Sequence, residues 1–524
     1  MYIKAHTFFL AFLLAFSQTY VSMAQSILAN TNGVTVAAGP VKSMYDDPDF
    51  RLFTDITDDG YTMQCQIDGK NETVRFNSKL EQAEVLPKYD EERSREKYQH
   101  IFSFQDRIFL LEGTSSESRK TNVFTQTELN DRGEAIGEPM MLAEVKGEEF
   151  YANPGNANLY ATESDNGSKL LVYLKLPEQR IGDGPLFTIY KYFVYNESME
   201  LLWSRVFEFK HEGGRVIHET YNINRHFEND GSVSAWAILD RGRKSEDRFA
   251  FRFYSIKGDD VSTVDVELKQ KMDRWKTLQA NGRTYLFDTY GIDEGEGVRV
   301  VLWDHKSRKG QLKYVPFGVD HLVKNQPNKV AEGLRKRAES GKPVFAEKFL
   351  FKDVIPTPDG GFVLTGQEGF DEVTEVSKFS NVTEHFRMDY HLVGINGEAE
   401  KIWSQIIPLD QRTGGDDHGC IVKPTRNKVY VIFSDSEDNY LPDADPIEKI
   451  KTYKGKNGVA GMVVIDINDP LAPLERIKLW DQKNAEETKV VSAHFKTAPT
   501  TSTGVARIPI GYGKERFLWL RFVE

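Results

Sequence analysis

Short runs of apolar and β-branched residues recur along most of the chain, each opened by a turn pair. Asp59-Gly60 precedes YTMQC, Asp106-Arg107 precedes IFLLEG and Asn166-Gly167 precedes SKLLVYL. Asp230-Gly231 precedes SVSAWAIL, Asn281-Gly282 precedes RTYLFDTYG, Asp359-Gly360 precedes GFVLTGQ and Asn427-Lys428 precedes VYVIFSD. Runs of this length and composition between such turns predict strands. Seven such units, of roughly 70 residues each, fill the chain.

A second element follows the first inside each unit. Tyr190, Asn196, Glu200, Trp203 and Ser204 match Tyr390, Asn396, Glu400, Trp403 and Ser404 without a gap. Each copy reads as strand, turn and strand. Phe124 to Pro139 and Gly461 to Trp480 are weaker copies. One four-stranded unit cannot bury both of its faces, so repeated units of this kind stack radially and protect their edges by closure. The expected fold is all-β, a β-propeller of seven four-stranded blades, with six or eight as alternatives. Gly504 to Glu524 reads as a terminal strand that pairs into the first blade. The two Trp residues hold a fixed place in the repeat, which predicts packing between blades rather than a sugar platform.

One segment departs from the strand pattern. Residues 325–342 carry helix formers, with Val330, Leu334 and Ala338 as the apolar positions, and predict a short helical insertion. Its basic Arg335, Lys336 and Arg337 read as a solvated face.

The first 24 residues read as a leader rather than as fold. Lys4 and His6 precede an apolar run from Phe8 to Phe16, and Ser22 and Ala24 suit a signal-peptidase site before Gln25. That run is far shorter than the roughly 20 residues a membrane span needs. The expectation is an exported protein of the periplasm or the medium, with residues 25–524 as one propeller domain and no insertion into the membrane. Acids outnumber bases, 79 to 67, for a net charge of −12, which disfavours a nucleic-acid partner. Cys65 and Cys420 are the only cysteines. Two buried thiols is the preferred reading over a bond between the first and last repeats.

Three stretches together resemble a family of exported β-propeller-type proteins common in Bacteroidetes. They are SDNGSKLLVYLKLP (Ser164 to Pro177) with ESMELLWSRVFEF, PTPDGGFVLTGQE (Pro356 to Glu368) with DYHLVGINGEAEKIWSQIIP, and TGGDDHGCIVKPTRNKVYVIFSDSEDN (Thr413 to Asn439). The resemblance runs from about residue 95 to the end, rests on blade motifs, and transfers no catalytic assignment.

The most site-like string is Gly414 to Gly419, which resembles a motif of that family: Asp416, Asp417 and His418 in a glycine-rich loop could hold a divalent cation, calcium first. Asp and Gly are equally what a turn between blades needs, and that reading is preferred. The acidic loop from Asp435 to Asp445 lacks the glycine and the final acid of a calcium-binding loop and reads as a solvated blade tip. The sequence has no nucleophile elbow, phosphate loop, C-x-x-C or H-E-x-x-H string. No cofactor is expected apart from that calcium candidate. The first functional reading is a monomeric interaction scaffold for an envelope protein or glycan. The alternative is an exported polysaccharide hydrolase or lyase with its site at the channel mouth, and a third is a structural envelope component.

Overall fold

The structure is a computed structural model. It describes residues 26–31, 34–38, 52–57, 60–67, 70–77 and 82–86, most of 97–481 outside some connecting segments, and 490–491, 507–512 and 516–522. The leader reading of residues 1–24 lies outside the described residues.

The described strands form eight antiparallel sheets. Seven follow one another along the chain, spanning residues 52–86, 97–146, 159–209, 215–268, 276–316, 349–413 and 421–481. Each of the seven turn pairs named above lies between consecutive strands of one of these sheets, six of them after the opening strand and Asp230-Gly231 after Asn224–Phe227 of the fourth sheet. The eighth sheet comes from both ends of the chain, and its centre is the pairing of Val34–Ala38 with Arg516–Phe522. The terminal strand thus pairs with an N-terminal strand ahead of the 52–86 sheet, not with that sheet. Successive antiparallel meanders, with a last sheet assembled from the two ends, define an all-β fold of the β-propeller class.

The turns follow from their residues. The amides of Gly167, Gly231 and Gly360 donate to Ser164, Glu228 and Thr357 carbonyls at 2.8, 2.9 and 3.0 Å. All three glycines have positive φ, at 66°, 85° and 85°, a region that costs a residue with a Cβ about 1–2 kcal/mol. The residue before each glycine uses its side chain as well. Asn166 and Asp230 Oδ1 accept the Ser168 and Ser232 amides at 3.1 and 2.8 Å.

Contacts along the chain group the residues into two compact units. One comprises residues 89–287 and 300–313. Inside it, Phe124 and Leu142 of the second sheet pack with Leu159 and Phe193 of the third. Tyr192, Phe207 and Phe209 of the third pack with Val233 and Tyr254 of the fourth, and Trp203 lies against this cluster. Phe253 of the fourth stacks on Trp303 of the fifth, with ring centroids 4.7 Å apart and planes 4° apart. Each such buried side chain stabilises the fold by about 1.5–3 kcal/mol. The other unit comprises the described residues among 26–88, 288–299 and 314–522. There Leu392, Trp403 and Ile407 of the sixth sheet pack with Val429, Phe433 and Val463 of the seventh. Trp203 and Trp403 therefore serve the packing of neighbouring sheets, as their place in the repeat predicts.

The insertion is helical over Asn328–Glu339, and a further helix, Gly318–Leu322, precedes it. Its buried residue is Ala331, while Val330 is exposed, so the apolar stripe starts one position later than the sequence pattern suggests. Arg335, Lys336 and Arg337 are exposed. Among the described residues no helix is long and apolar enough to cross a membrane.

Candidate functional site

Asp416, Asp417 and His418 lie outside the described residues. Before them, Gln411–Thr413 pairs with His385–Arg387 of the sixth sheet, and Ile421–Pro424 opens the seventh. Cys420 between them is a free thiol whose pKa burial pushes up. The side chain of Cys65 is outside the described residues.

The acidic stretch from Asp435 is not all solvated. Asp435 and Asn439 are buried, whereas Asp443 and Asp445 are exposed. Asp435 is ion-paired with Arg476 and accepts from Asn439 Nδ2 at 2.7 Å and from the Ser436 amide at 2.9 Å. Asn439 also donates to the Lys451 carbonyl at 3.0 Å and accepts the Lys451 amide at 2.8 Å. Burial raises the Asp435 pKa, with Arg476 opposing it. This is framework: the pair pins the loop after Lys428–Ser436 to the last strand of the same sheet. The sequence reading missed it because Arg476 is distant along the chain.

Two histidine clusters emerge that no linear motif marks. The first joins the fourth and fifth sheets. His226 is the next-to-last residue of the strand Asn224–Phe227, and Glu228 follows two residues later, just before the Asp230-Gly231 turn. His305 follows the strand Gly297–Asp304. His305 Nδ1 meets Glu228 Oε1, and His226 Nε2 lies 3.5 Å from Glu228 Oε2. The imidazole centroids are 4.8 Å apart. Two hydroxyls orient the group. Ser234 donates to Glu228 Oε1 at 2.8 Å, and Thr284 Oγ1 is 2.9 Å from His305 Nε2. One ligand atom from each of the three residues lies within 4.8 Å of the others. The one sequence signal was the spacing of two between His226 and Glu228, which puts both on one side of an extended segment.

The second cluster sits beside the insertion, in the unit holding the sixth sheet. His321 of the short helix is buried, and its Nε2 is 3.0 Å from His391 Nδ1. His391 Nε2 is 3.0 Å from Glu368 Oε1. Phe317 and Phe349 flank the rings at centroid distances of 5.2 Å from His321 and 5.4 Å from His391. His321 Nδ1 is buried without a hydrogen-bond partner. Burial first, then the charges of His391, Lys401 and Lys324, hold His321 well below the usual histidine range, so it is neutral. Nearby Asp389 is raised from 3.8 to about 6, by loss of water and by the charge of Glu368. Gln326 donates to Asp389 Oδ2, and the Leu409 amide donates to Oδ1 at 3.3 Å.

No protein-family profile matches the chain, and no curated protein sequence matches it. Among solved structures, it is similar to prolyl oligopeptidase B from Galerina marginata at 6% identity and a TM-score of 0.38, over 84% of this chain and 52% of that one. It is similar to the β-propeller domain of the Trilobed protease from Pyrococcus furiosus at 10% identity and a TM-score of 0.31, over 83% and 97%. A third is the WD40 domain of SCAP from fission yeast, at 9% identity and a TM-score of 0.35, over 96% and 98%. The chain spans about half the length of the prolyl oligopeptidase it matches. At these scores the likeness says nothing of ligand or chemistry, and the strand topology alone defines the fold.

Proposed function

We propose that the chain is an exported scaffold, of the Bacteroidetes type its motifs resemble, that binds a protein partner along the outer edge of the third sheet. One observation carries this reading: the twin hairpins differ in what covers their outer strands. Ile406 on the sixth sheet is 0% exposed, while its counterpart Val206 on the third is 49% exposed. Ser404 is buried and Ser204 exposed. On the sixth sheet the chain supplies its own cover. Lys324 Nζ donates to the Ser404 carbonyl at 2.6 Å, and Asn325 Nδ2 donates to the Ile406 carbonyl at 2.8 Å.

On the third sheet the outermost described strand is Leu201–Phe209, and Leu201, Leu202 and Val206 all face outward. A strand edge with outward apolar residues accepts an added segment through backbone hydrogen bonds and side-chain contacts. The leader reading puts the partner in the envelope or beyond it.

A photo-crosslinking residue at position 206, with one at exposed Glu197 as control, tests the reading in the producing cell. A discrete adduct at 206 that Leu202→Asp removes is the expected result. Equal yields at both positions sink it. Turnover of a polysaccharide that Leu202→Asp leaves unchanged would favour the hydrolase or lyase alternative.

A further inference from the structure

We propose that His226, Glu228 and His305 form a site for a zinc-type divalent ion that clasps the fourth sheet to the fifth. The donor set is two imidazole nitrogens and one carboxylate oxygen. Imidazole selects borderline transition ions over calcium or magnesium, which take oxygen ligands. The three ligand atoms converge within 4.8 Å. Three protein ligands with a fourth position left over is a common zinc arrangement.

The supporting groups are those such a site needs. Metal-bound imidazoles are usually steered by a hydrogen bond at the other nitrogen. Here Thr284 Oγ1, which is fully buried, lies 2.9 Å from His305 Nε2 and leaves Nδ1 aimed at Glu228. Ser234 holds Glu228 Oε1 at 2.8 Å and lies 3.3 Å from His305 Nδ1. A single His–Glu pair would not need a second imidazole. His226 nonetheless brings Nε2 to 3.5 Å from the other oxygen of the same carboxylate. A cation among the three would draw one ligand atom from each residue. His226, Glu228 and Ser234 belong to one sheet and Thr284 and His305 to the next, so the ion ties together the sheets whose cores meet at Phe253 and Trp303.

The test uses the full mature chain, stripped with chelator and titrated with zinc alone. One zinc per chain is expected. His305→Gln should abolish it, and Thr284→Val should weaken it roughly tenfold or more. The double variant Asp416→Ala with His418→Ala should keep it. X-ray absorption on zinc-loaded wild type should show two imidazoles and oxygen, with no sulfur, and this needs no variant to fold. Failure of the wild type to bind zinc, a sulfur shell, retention of zinc by His305→Gln, or its loss from the Asp416/His418 variant overturns the proposal.

Discussion

Asn196 and Asn396 hold the same turn with the same atoms in two different sheets. Each Oδ1 accepts the amide of the Glu four residues on, at 2.9 Å, and a second amide at 3.0 Å. Each Nδ2 donates to that Glu side chain, at 2.7 Å from Asn196 and 3.0 Å from Asn396. Asn130 repeats the pattern with Glu134, at 2.9 Å in both directions. The turns place Met199 and Ala399 in left-handed backbone, at φ 62° and 58°. The side chain substitutes for backbone partners that such a turn cannot supply.

Asn396→Ala is therefore expected to cost about 1–2 kcal/mol, since it strands two amides. Asn396→Asp should cost less, because it keeps the acceptor but sets a second carboxylate against Glu400. Urea unfolding midpoints at neutral pH check both. Equal losses for the two variants would mean that the donation to Glu400, not the acceptance of the amides, holds the turn.

The twins diverge opposite their tryptophans. Trp203 faces Val194 across its hairpin, and Trp403 faces Gly394. A Cβ on Gly394 would land inside the Trp403 indole. Trp403 can therefore lie flat over the strand and is buried, while Trp203 is half-buried and donates from Nε1 to the Gly231 carbonyl at 3.1 Å. Gly394→Val should force Trp403 out, at a cost of about 1–3 kcal/mol. Tryptophan fluorescence should shift to the red, together with a fall in melting temperature. An unshifted spectrum would show that the sheet yields instead of the ring.

The strand repeats, the seven opening turns, the role of the two tryptophans and the helical insertion were legible because each rests on neighbours in sequence. Asp230-Gly231 announces its turn from two residues alone. What was hidden depends on strands far apart in the chain. Asp435 reads as one acid in a solvated loop until Arg476 is seen beside it. His226 and His305 are unremarkable until the fourth and fifth sheets pack. The pairing of residues 34–38 with 516–522 likewise joins the two ends, and only its C-terminal half carried a visible strand pattern.

Asp389 makes stability depend on pH in a defined direction. Its pKa is raised in the fold, from 3.8 to about 6, so the folded chain binds the proton more tightly than the unfolded one. Its favourable contribution is fully present below about pH 4 and is lost as pH rises through 6. Asp389→Asn removes that dependence. The variant should gain stability relative to wild type between pH 4 and pH 6.5, read as the difference of their unfolding midpoints across a pH series. His321 contributes with the opposite slope, because its lowered pKa favours the fold only as pH rises toward 6.5. It is present in both proteins, so the difference isolates Asp389. A difference that stays flat across the range would show that Asp389 is ionised in the fold throughout.

Lys324 and Asn325 decide whether the sixth sheet has a usable edge. Lys324 occupies the Ser404 carbonyl, and Asn325 occupies the Ile406 carbonyl from left-handed backbone at φ 52°. Lys324→Met with Asn325→Ala frees two carbonyls on a strand that also carries exposed Ile402. The direct loss should be about 1–2 kcal/mol. The more telling effect is on association, because an uncovered edge pairs with other strands. Light scattering should show earlier concentration-dependent growth in the double variant than in wild type, and Lys324→Arg should stay near wild type. If the third-sheet edge recruits a partner by the same physics, a crosslinker at 406 should gain an adduct in the double variant that wild type lacks. Growth without that adduct would mean that the uncovered edge is only sticky and that partner recognition at 206 depends on the Leu201 and Leu202 side chains.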